Sequence, residues 1–441
     1  MTSGPDDISI GIDFGTTNTV IAIAGPGGEA SALQFTHNGI VHRTYNSALC
    51  FWEETQGAGR HLAVEGGPWA VEQFLQGLTA HRFIQSFKTF AASSSFVQTR
   101  IFRQNFRFED LLAAFLRSLL RHADTSFSFV AKTIVIGRPV RFAGASPDDA
   151  LAMRRYRASF DRLGIANGHY VYEPVGAAFS YARQLRHHAT VLVADFGGGT
   201  SDFSVMRFEK QGGHFVARPL GHAGIGIAGD AFDYRIIDNV VSPRLGKGGS
   251  YRSFGKTLPL PNGYYTNFAR WNQLAMMKTS GDLKELNELS RVAVDPAPLL
   301  KLIDIIENDL GFALYRSVSA AKIALSSADE AEFHFQHGDL AISETIARTQ
   351  FEAWIAEDVE QIAATVDKAL ADAKLRGGDI DRVFLTGGSS FIPAIWKVFG
   401  ERFGEARLST GDQFESIAYG LALIGRSPSL SDWAVSEVAK V

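Results

Sequence analysis

Residues 194–205 read ADFGGGTSDFSV, with three consecutive glycines set between Asp195 and Asp202. Glycine costs about 0.5–1 kcal/mol relative to alanine inside a strand or helix, so three in a row need a compensating role. Both flanks, VLVADF before and SDFSVMRF after, are dense or alternating in apolar residues and predict strands. The glycines therefore form the turn of a hairpin, and whatever binds there approaches too closely for a Cβ. Such a turn presents unobstructed backbone N–H groups, which make a concave anion site. The same phrase occurs near the start of the chain. FGTTNT lies between ISIGID, with Ile8, Ile10 and Ile12 on one face, and the alternating VIAIA. A chemical phrase written once in each half predicts an internal duplication.

Asp13 and Asp195 hold equivalent places before the two turns. Carboxylates repel a phosphate, so their presence is explained by a hard cation between the two. Mg²⁺ prefers oxygen ligands, keeps several waters and bridges to nucleotide phosphates. Two such hairpins facing each other would clamp a polyphosphate, with Thr16, Thr17 and Thr200 adding hydroxyl donors. A P-loop or a Rossmann fingerprint leads from a strand into a helix. Here both turns lead into strands, which argues against either.

The chain has 441 residues, 46% hydrophobic and 20% charged, enough for two or three domains with full cores. A net charge of −4 gives no general attraction to nucleic acid or to an acidic membrane. The single cysteine, Cys50, sits in the apolar SALCFW and reads as a buried small hydrophobe. One cysteine allows no internal disulfide and suits a reducing cytosol. MTSGPDDIS has no signal-peptide pattern, and no window approaches about 18 consecutive apolar residues. The expected location is the cytoplasm.

Between the two hairpins, FEDLLAAFLRSLLRHA (108–123) predicts a core-facing helix, TIVIGRPV a buried strand, and EPVGAAFSYARQL a helix opening on Glu173. MRRYRASFDR reads as a basic helix with a solvated face. Residues 243–300 are rich in Gly, Pro, Asn and Tyr and read as an irregular insertion. Its aromatics (Phe254, Tyr264, Tyr265, Phe268, Trp271) read first as its own small core and second as a partner surface. LIDIIENDLGFALYRSVSAAKIALSS reads as helical. A helix over about 350–375 is predicted to end on Gly377 and Gly378. A strand, a Gly-Gly-Ser turn and a helix follow. The histidines show no metal spacing, and no Ser/His/Asp arrangement stands out.

GIDFGTTNT, EPVGAAFSYA, VADFGGGTSDFSV, GIAGDAFD, AKIALSS and TGGSSFIP, in this order, resemble the actin-like ATPases. Within that superfamily they resemble the nucleotide-binding domain of the seventy-kilodalton heat-shock chaperones of DnaK type, nearest the short YegD-like branch. The resemblance runs from about residue 8 to about residue 425. It implies an ATP-binding protein with ATP/ADP and Mg²⁺ as cofactors. Asp13, Glu173 and Asp195 would organise the metal, largely through waters. Gly15, Thr16, Thr17 and Asn18 would form the first phosphate loop, and Gly197, Gly198, Gly199 and Thr200 the second, with Asp202 near the attacking water. QSFKTFAA resembles the segment of the catalytic lysine, which implies Lys88. Gly229 and Asp230 match the ribose or phosphate contact of the second lobe. Lys322 and Ser326 match the adenosine-binding helix, Gly387, Gly388 and Ser389 the turn beneath the adenosine, and Asp412 an acidic residue near the base. Pro139 matches the family's interdomain-switch proline and Arg157 an arginine nearby.

The sequence departs from the family where two arginines commonly flank the adenine and a glutamate contacts the ribose. Ile323, Phe391 and Ser319 stand there, Phe391 still able to stack on a base. After about residue 427 only a short polar stretch remains, where the chaperones carry a peptide-binding domain, and none is expected here. The expected fold is α/β, an actin-like ATPase fold of two duplicated βββαβα-type lobes around a nucleotide cleft. Lobe I would span 1–188 completed by 408–427. Lobe II would span 189–407 with a tip subdomain around 230–326, and 428–441 would be a polar tail. The expected function is slow Mg-dependent ATP hydrolysis by in-line water attack, driving lobe closure in a chaperone-like role with an unidentified protein partner or client. The alternatives are a non-hydrolysing ATP-dependent binding module and a small-molecule kinase of the same fold, for which no acceptor-site motif is found.

Overall fold

Ser9–Phe14 (β1) is buried along its whole length, as a strand covered on both faces must be, which is why SIGIDF is almost continuously apolar. A computed structural model describes residues 8–56, 59–76, 80–124, 133–144, 146–182, 185, 187–211, 214–410, 415–427 and 430–435. β1 pairs antiparallel with Asn18–Ala24 (β2) and parallel with Thr133–Arg138 (β3), which pairs parallel with His169–Tyr172 (β4). Ala30–Ala32 closes one edge of this sheet. The second sheet repeats the form. Ala189–Phe196 (β5), again buried throughout, pairs antiparallel with Ser201–Gln211 (β6) and parallel with Arg382–Thr386 (β8). His214–Ile225 (β7) borders β6, and Leu408–Thr410 borders β8. The duplication read from the glycine turns is thus present in the sheets: a hairpin beside parallel strands, twice.

The helices carry the signals their sequences announce. Phe108–His122 (α1) opens with the backbone N–H of Arg107 donating to Asp110 Oδ2 at 2.8 Å, has Glu109 and Asp110 in its first turn, and ends on Arg121 and His122. Asp149–Asp161 (α2) is capped by Asp148, whose carboxylate accepts from the Leu151 N–H. Glu173–Ala182 (α3) crosses Ser416–Ile424 so closely that a Cβ on Gly420 would lie 1.6 Å from the Gly176 carbonyl oxygen.

Two compact units divide the chain, one of residues 1–228, 361–390 and 395–441, the other of 229–360 and 391–394. Both sheets belong to the first. The second runs from residue 229 to residue 360, with 391–394 added. The stretch 243–300 is not irregular. It holds the hairpin Ser250–Ser253/Lys256–Pro259 and the helices Asn262–Phe268, Trp271–Ser280, Asp282–Ser290 and Ala297–Glu307. Its glycines and prolines sit at the joints: Pro261 and Pro296 precede helices, and Gly281, at φ 102°, separates two. Tyr265, Phe268 and Trp271 are buried, as the core reading expected; Tyr264 bonds Glu285, and Phe254 stands fully exposed at the hairpin turn.

Three further expectations need correction. The helical run after 300 is two helices, broken at Asp309 in the left-handed region, with Gly311–Leu325 as the second. Arg348–Asp372 ends before Lys374, which turns the chain at φ 57°, and not on Gly377 and Gly378. Those glycines begin a separate turn, where a Cβ on Gly377 would lie 2.6 Å from the Arg402 carbonyl oxygen. MRRYRASFDR is not simply a solvated basic face, because Arg155 and Tyr156 within it are buried. Among the described residues no helix is long and apolar enough to cross a membrane.

Candidate active site

The site is assembled from the ends of β1 and β5 in the first unit. Beyond β1 the Gly15 N–H donates to the Asn18 carbonyl at 3.0 Å, closing a turn whose rim is Thr16 and Thr17. Ser47 secures it, its hydroxyl on the Gly15 carbonyl at 2.7 Å and its N–H on the Thr17 carbonyl at 2.8 Å. Beyond β5 the Gly197 N–H donates to the Thr200 carbonyl at 2.9 Å. The two turns face each other: a Cβ on Gly199 would lie 3.2 Å from Thr16 Oγ1 and 3.3 Å from Ala143 Cβ. Any larger residue there narrows the space between the loops.

Lys88 lies in the single 3₁₀ turn Phe87–Phe90, only 7% exposed, its Nζ 2.7 Å from Glu173 Oε1. It is no surface lysine. Glu173 is the first residue of α3, where the helix dipole favours a carboxylate, and it too is buried. Asp13, Asp195 and Asp202 are buried beside the pair. β5–β6 register sets Asp195 opposite Asp202. Asp202 Oδ1 accepts the N–H groups of Val140 at 2.7 Å and Arg141 at 3.3 Å, while its Oδ2 is buried without a partner. Gly224 makes room for this, since a Cβ there would sit 2.4 Å from Oδ1.

The electrostatics follow from burial. Desolvation first, and then the charge of Glu173, push Asp13 up to about 8, against the pull of Lys88. Asp195 is raised well above the carboxylate range by burial and by Glu173, Asp13 and Asp202. Asp202 is pushed up to about 7 by burial and Glu173, with Thr200 and the two N–H donors pulling it down. Burial works against the charge on Lys88, yet Glu173, Tyr156 and Asp13 outweigh it and hold the ammonium above its ordinary value. Four buried carboxyl groups share one ammonium, so without a further cation burial holds protons on the aspartates, and a bound cation would let them ionise. That donor set, all oxygen, suits a hard divalent cation. Among the described residues no three His, Cys, Asp or Glu side chains converge to ligate a metal directly.

The remaining expected residues lie in two places. Gly387, at φ 84°, ends β8 against the Phe196 carbonyl, which a Cβ would approach to 2.0 Å; Ser389 is buried, and the space beside Gly388 is open. In the second unit Gly229 and Asp230 open the helix Gly229–Ile236. Lys322 is engaged within that unit, its Nζ 2.6 Å from Asp233 Oδ1 and 3.1 Å from the Gly229 carbonyl. Ser326 caps the Gly311–Leu325 helix, donating to the Lys322 carbonyl at 3.2 Å. Ser319, Lys322, Ile323 and Ser326 share one face of that helix. Ile323 is 67% exposed and Phe391 37%, both apolar surface. Asp412 lies outside the described residues.

Sequence reasoning missed Arg155 and Tyr156, buried on α2 near Lys88. Their signal was positional: Ala152, Arg155, Tyr156, Ser159 and Phe160 recur at helical spacing as one buried stripe.

The family model for Hsp70 protein matches residues 71–247 and 301–437. Chaperone protein DnaK of Thermosipho melanesiensis is 28% identical over 430 residues, covering 96% of this chain and 59% of that protein. Chaperone protein DnaK of Deinococcus deserti is 26% identical over 428 residues, covering 94% of this chain and 59% of that protein. That of Deinococcus radiodurans is 26% identical over 447 residues, covering 98% and 62%. The chain thus spans about three-fifths of the length of these curated relatives. With the α/β fold of the actin-like ATPases and a family match over most of its length, the chain belongs to the Hsp70 family.

Proposed function

We propose that this protein binds Mg-ATP and hydrolyses it slowly to ADP and phosphate, by in-line attack of water on the γ-phosphate. The observation that carries the reading is the buried Lys88–Glu173 pair at 2.7 Å, set among Asp13, Asp195 and Asp202 beside two facing glycine turns. The N–H groups and threonine hydroxyls of those turns hold the phosphates from two sides. Asp13, Glu173 and Asp195 would hold Mg²⁺, and the ion would supply charge to offset the phosphates. Lys88 brings a fixed ammonium toward the charge that develops on the γ-phosphate, a preorganised group needing no reorganisation during the reaction. Asp202, one oxygen of which accepts two backbone N–H groups, stands opposite Asp195 beside the second turn, where its carboxylate would accept a hydrogen bond from the attacking water.

Ile323 and Phe391, exposed apolar side chains in the positions of the family's adenine-flanking arginines, would offer a base stacking and apolar cover in place of guanidinium contacts. Lobe closure on ATP, a chaperone-like role with a protein client or partner, and a cytoplasmic location complete the proposal. The test is product analysis with Mg-ATP in water alone and with a panel of sugars. The reading expects ADP and inorganic phosphate in equal amounts without any sugar. Phosphate transfer to a sugar would make the protein a kinase, and ATP held uncleaved would make it a binding module.

A further inference from the structure

Arg155 is a buried cation on α2, and among the described residues its guanidinium bonds only backbone carbonyls. Nη1 donates to the carbonyls of Phe90 at 2.7 Å, Ala91 at 3.0 Å and Ser93 at 3.0 Å, and Nη2 donates to that of Phe96. All four belong to the segment that follows Lys88. The segment also bonds within itself, Thr89 donating its N–H and hydroxyl to the Ser86 carbonyl at 3.2 and 2.7 Å and the N–H groups of Ala91, Ser93 and Phe96 reaching the carbonyls of Lys88, Phe90 and Ser93 at 3.0, 3.2 and 3.3 Å, while Arg155 ties this turn to α2. Ser86 enters it at φ 52°, the Asp148 N–H meets the Ala92 carbonyl at 3.0 Å, and the Phe90 and Phe96 rings stack at 4.2 Å. A guanidinium presents five donors in a rigid fork, which suits several carbonyls spread along a turn; an ammonium is a compact point donor. The next residue on the helix completes the frame. The ring of Tyr156 packs on Phe14 at 6.1 Å, and Lys88 Nζ lies 6.0 Å from the same Phe14 ring.

We propose that Arg155 is the positioning residue of Lys88: by gathering four carbonyls of residues 90–96 it fixes the turn from which the ammonium reaches the transferred phosphate. The inference rests on the reading of Lys88 given above. Arg155 touches no phosphate and acts through the turn, so its loss shifts the ammonium rather than removing it. A displacement of about 1 Å at a reacting group costs about 10²-fold in rate.

The experiment compares wild type, Arg155→Lys, Lys88→Ala and the double variant in single-turnover hydrolysis at saturating Mg-ATP. Nucleotide affinity and amide hydrogen exchange over residues 87–96 are measured on the same samples. Arg155→Lys is expected to slow hydrolysis by about 10- to 100-fold with affinity within about threefold of wild type, and to speed exchange in the turn. The double variant is expected to be no slower than Lys88→Ala alone, because both changes act through one group. Should Arg155→Lys not fold, Phe96→Ala loosens the turn with Arg155 in place and is expected to give the same loss of rate without loss of affinity. Hydrolysis within about twofold of wild type in the loosened variant, or losses that multiply in the double variant, overturns the inference while leaving the ATPase reading intact. A Lys88→Ala protein as active as wild type overturns the reading beneath it, and the inference with it.

Discussion

Lys88 and Glu173 meet at 2.7 Å out of contact with bulk water, and neither residue's neighbourhood in the sequence announces that. The aspartates were legible because each precedes a glycine turn that only close backbone approach explains. Lys88 was legible only through resemblance, since QSFKTFAA is unremarkable by composition. Arg155 was legible only as a position on a helical stripe, since its partners are carbonyls, which leave no trace in sequence. Gly387 shows how firmly one residue is specified. Its φ of 84° and the Phe196 carbonyl oxygen 2.0 Å from any added Cβ act together. Gly387→Ala is therefore expected to lower stability by about 2–4 kcal/mol in urea unfolding, combining backbone strain with displacement of β5. A loss below about 0.5 kcal/mol would show that the turn relaxes freely.

At the level of elements, the two hairpins and the helices α1 and α3 followed from apolar periodicity and from acidic first turns. The stretch 243–300 did not, because residues that read as loop chemistry occupy the joints between short helices. The second unit also has a buried electrostatic joint. Asp233, 1% exposed, takes Lys322 at 2.6 Å and the Trp271 indole N–H at 3.0 Å, linking three helices. Lys322→Met keeps the stem and leaves the carboxylate buried without its counter-charge. The expected cost is about 2–4 kcal/mol in unfolding of this unit, with Asp233→Asn in the same background recovering part of it. A Lys322→Met protein as stable as wild type would mean that water reaches Asp233.

For the whole molecule, the duplication was readable from two copies of one phrase, each at the turn of a hairpin. The gathered carboxylates give the molecule a pH signature. In the absence of a divalent ion the native state keeps protons on Asp13 and Asp202 up to about 8 and about 7, which the unfolded chain releases near the ordinary carboxylate value. The native state then binds more protons, so the contribution of these two groups to stability is full below about pH 4 and is lost as pH rises through about 7 and 8. The metal-free protein is expected to melt at higher temperature near pH 5.5 than near pH 8.5, and Mg²⁺ to raise the midpoint more at the higher pH, as mass action on the deprotonated site requires. A midpoint indifferent to pH and to Mg²⁺ would remove the case for a cation there. The most direct test of the account is single-turnover hydrolysis of Mg-ATP by the wild type beside Lys88→Ala and Asp195→Ala. The account predicts slow conversion to ADP by the wild type and a loss of about 10²-fold or more in each variant; equal rates in all three, or no binding of ATP by the wild type, would contradict it.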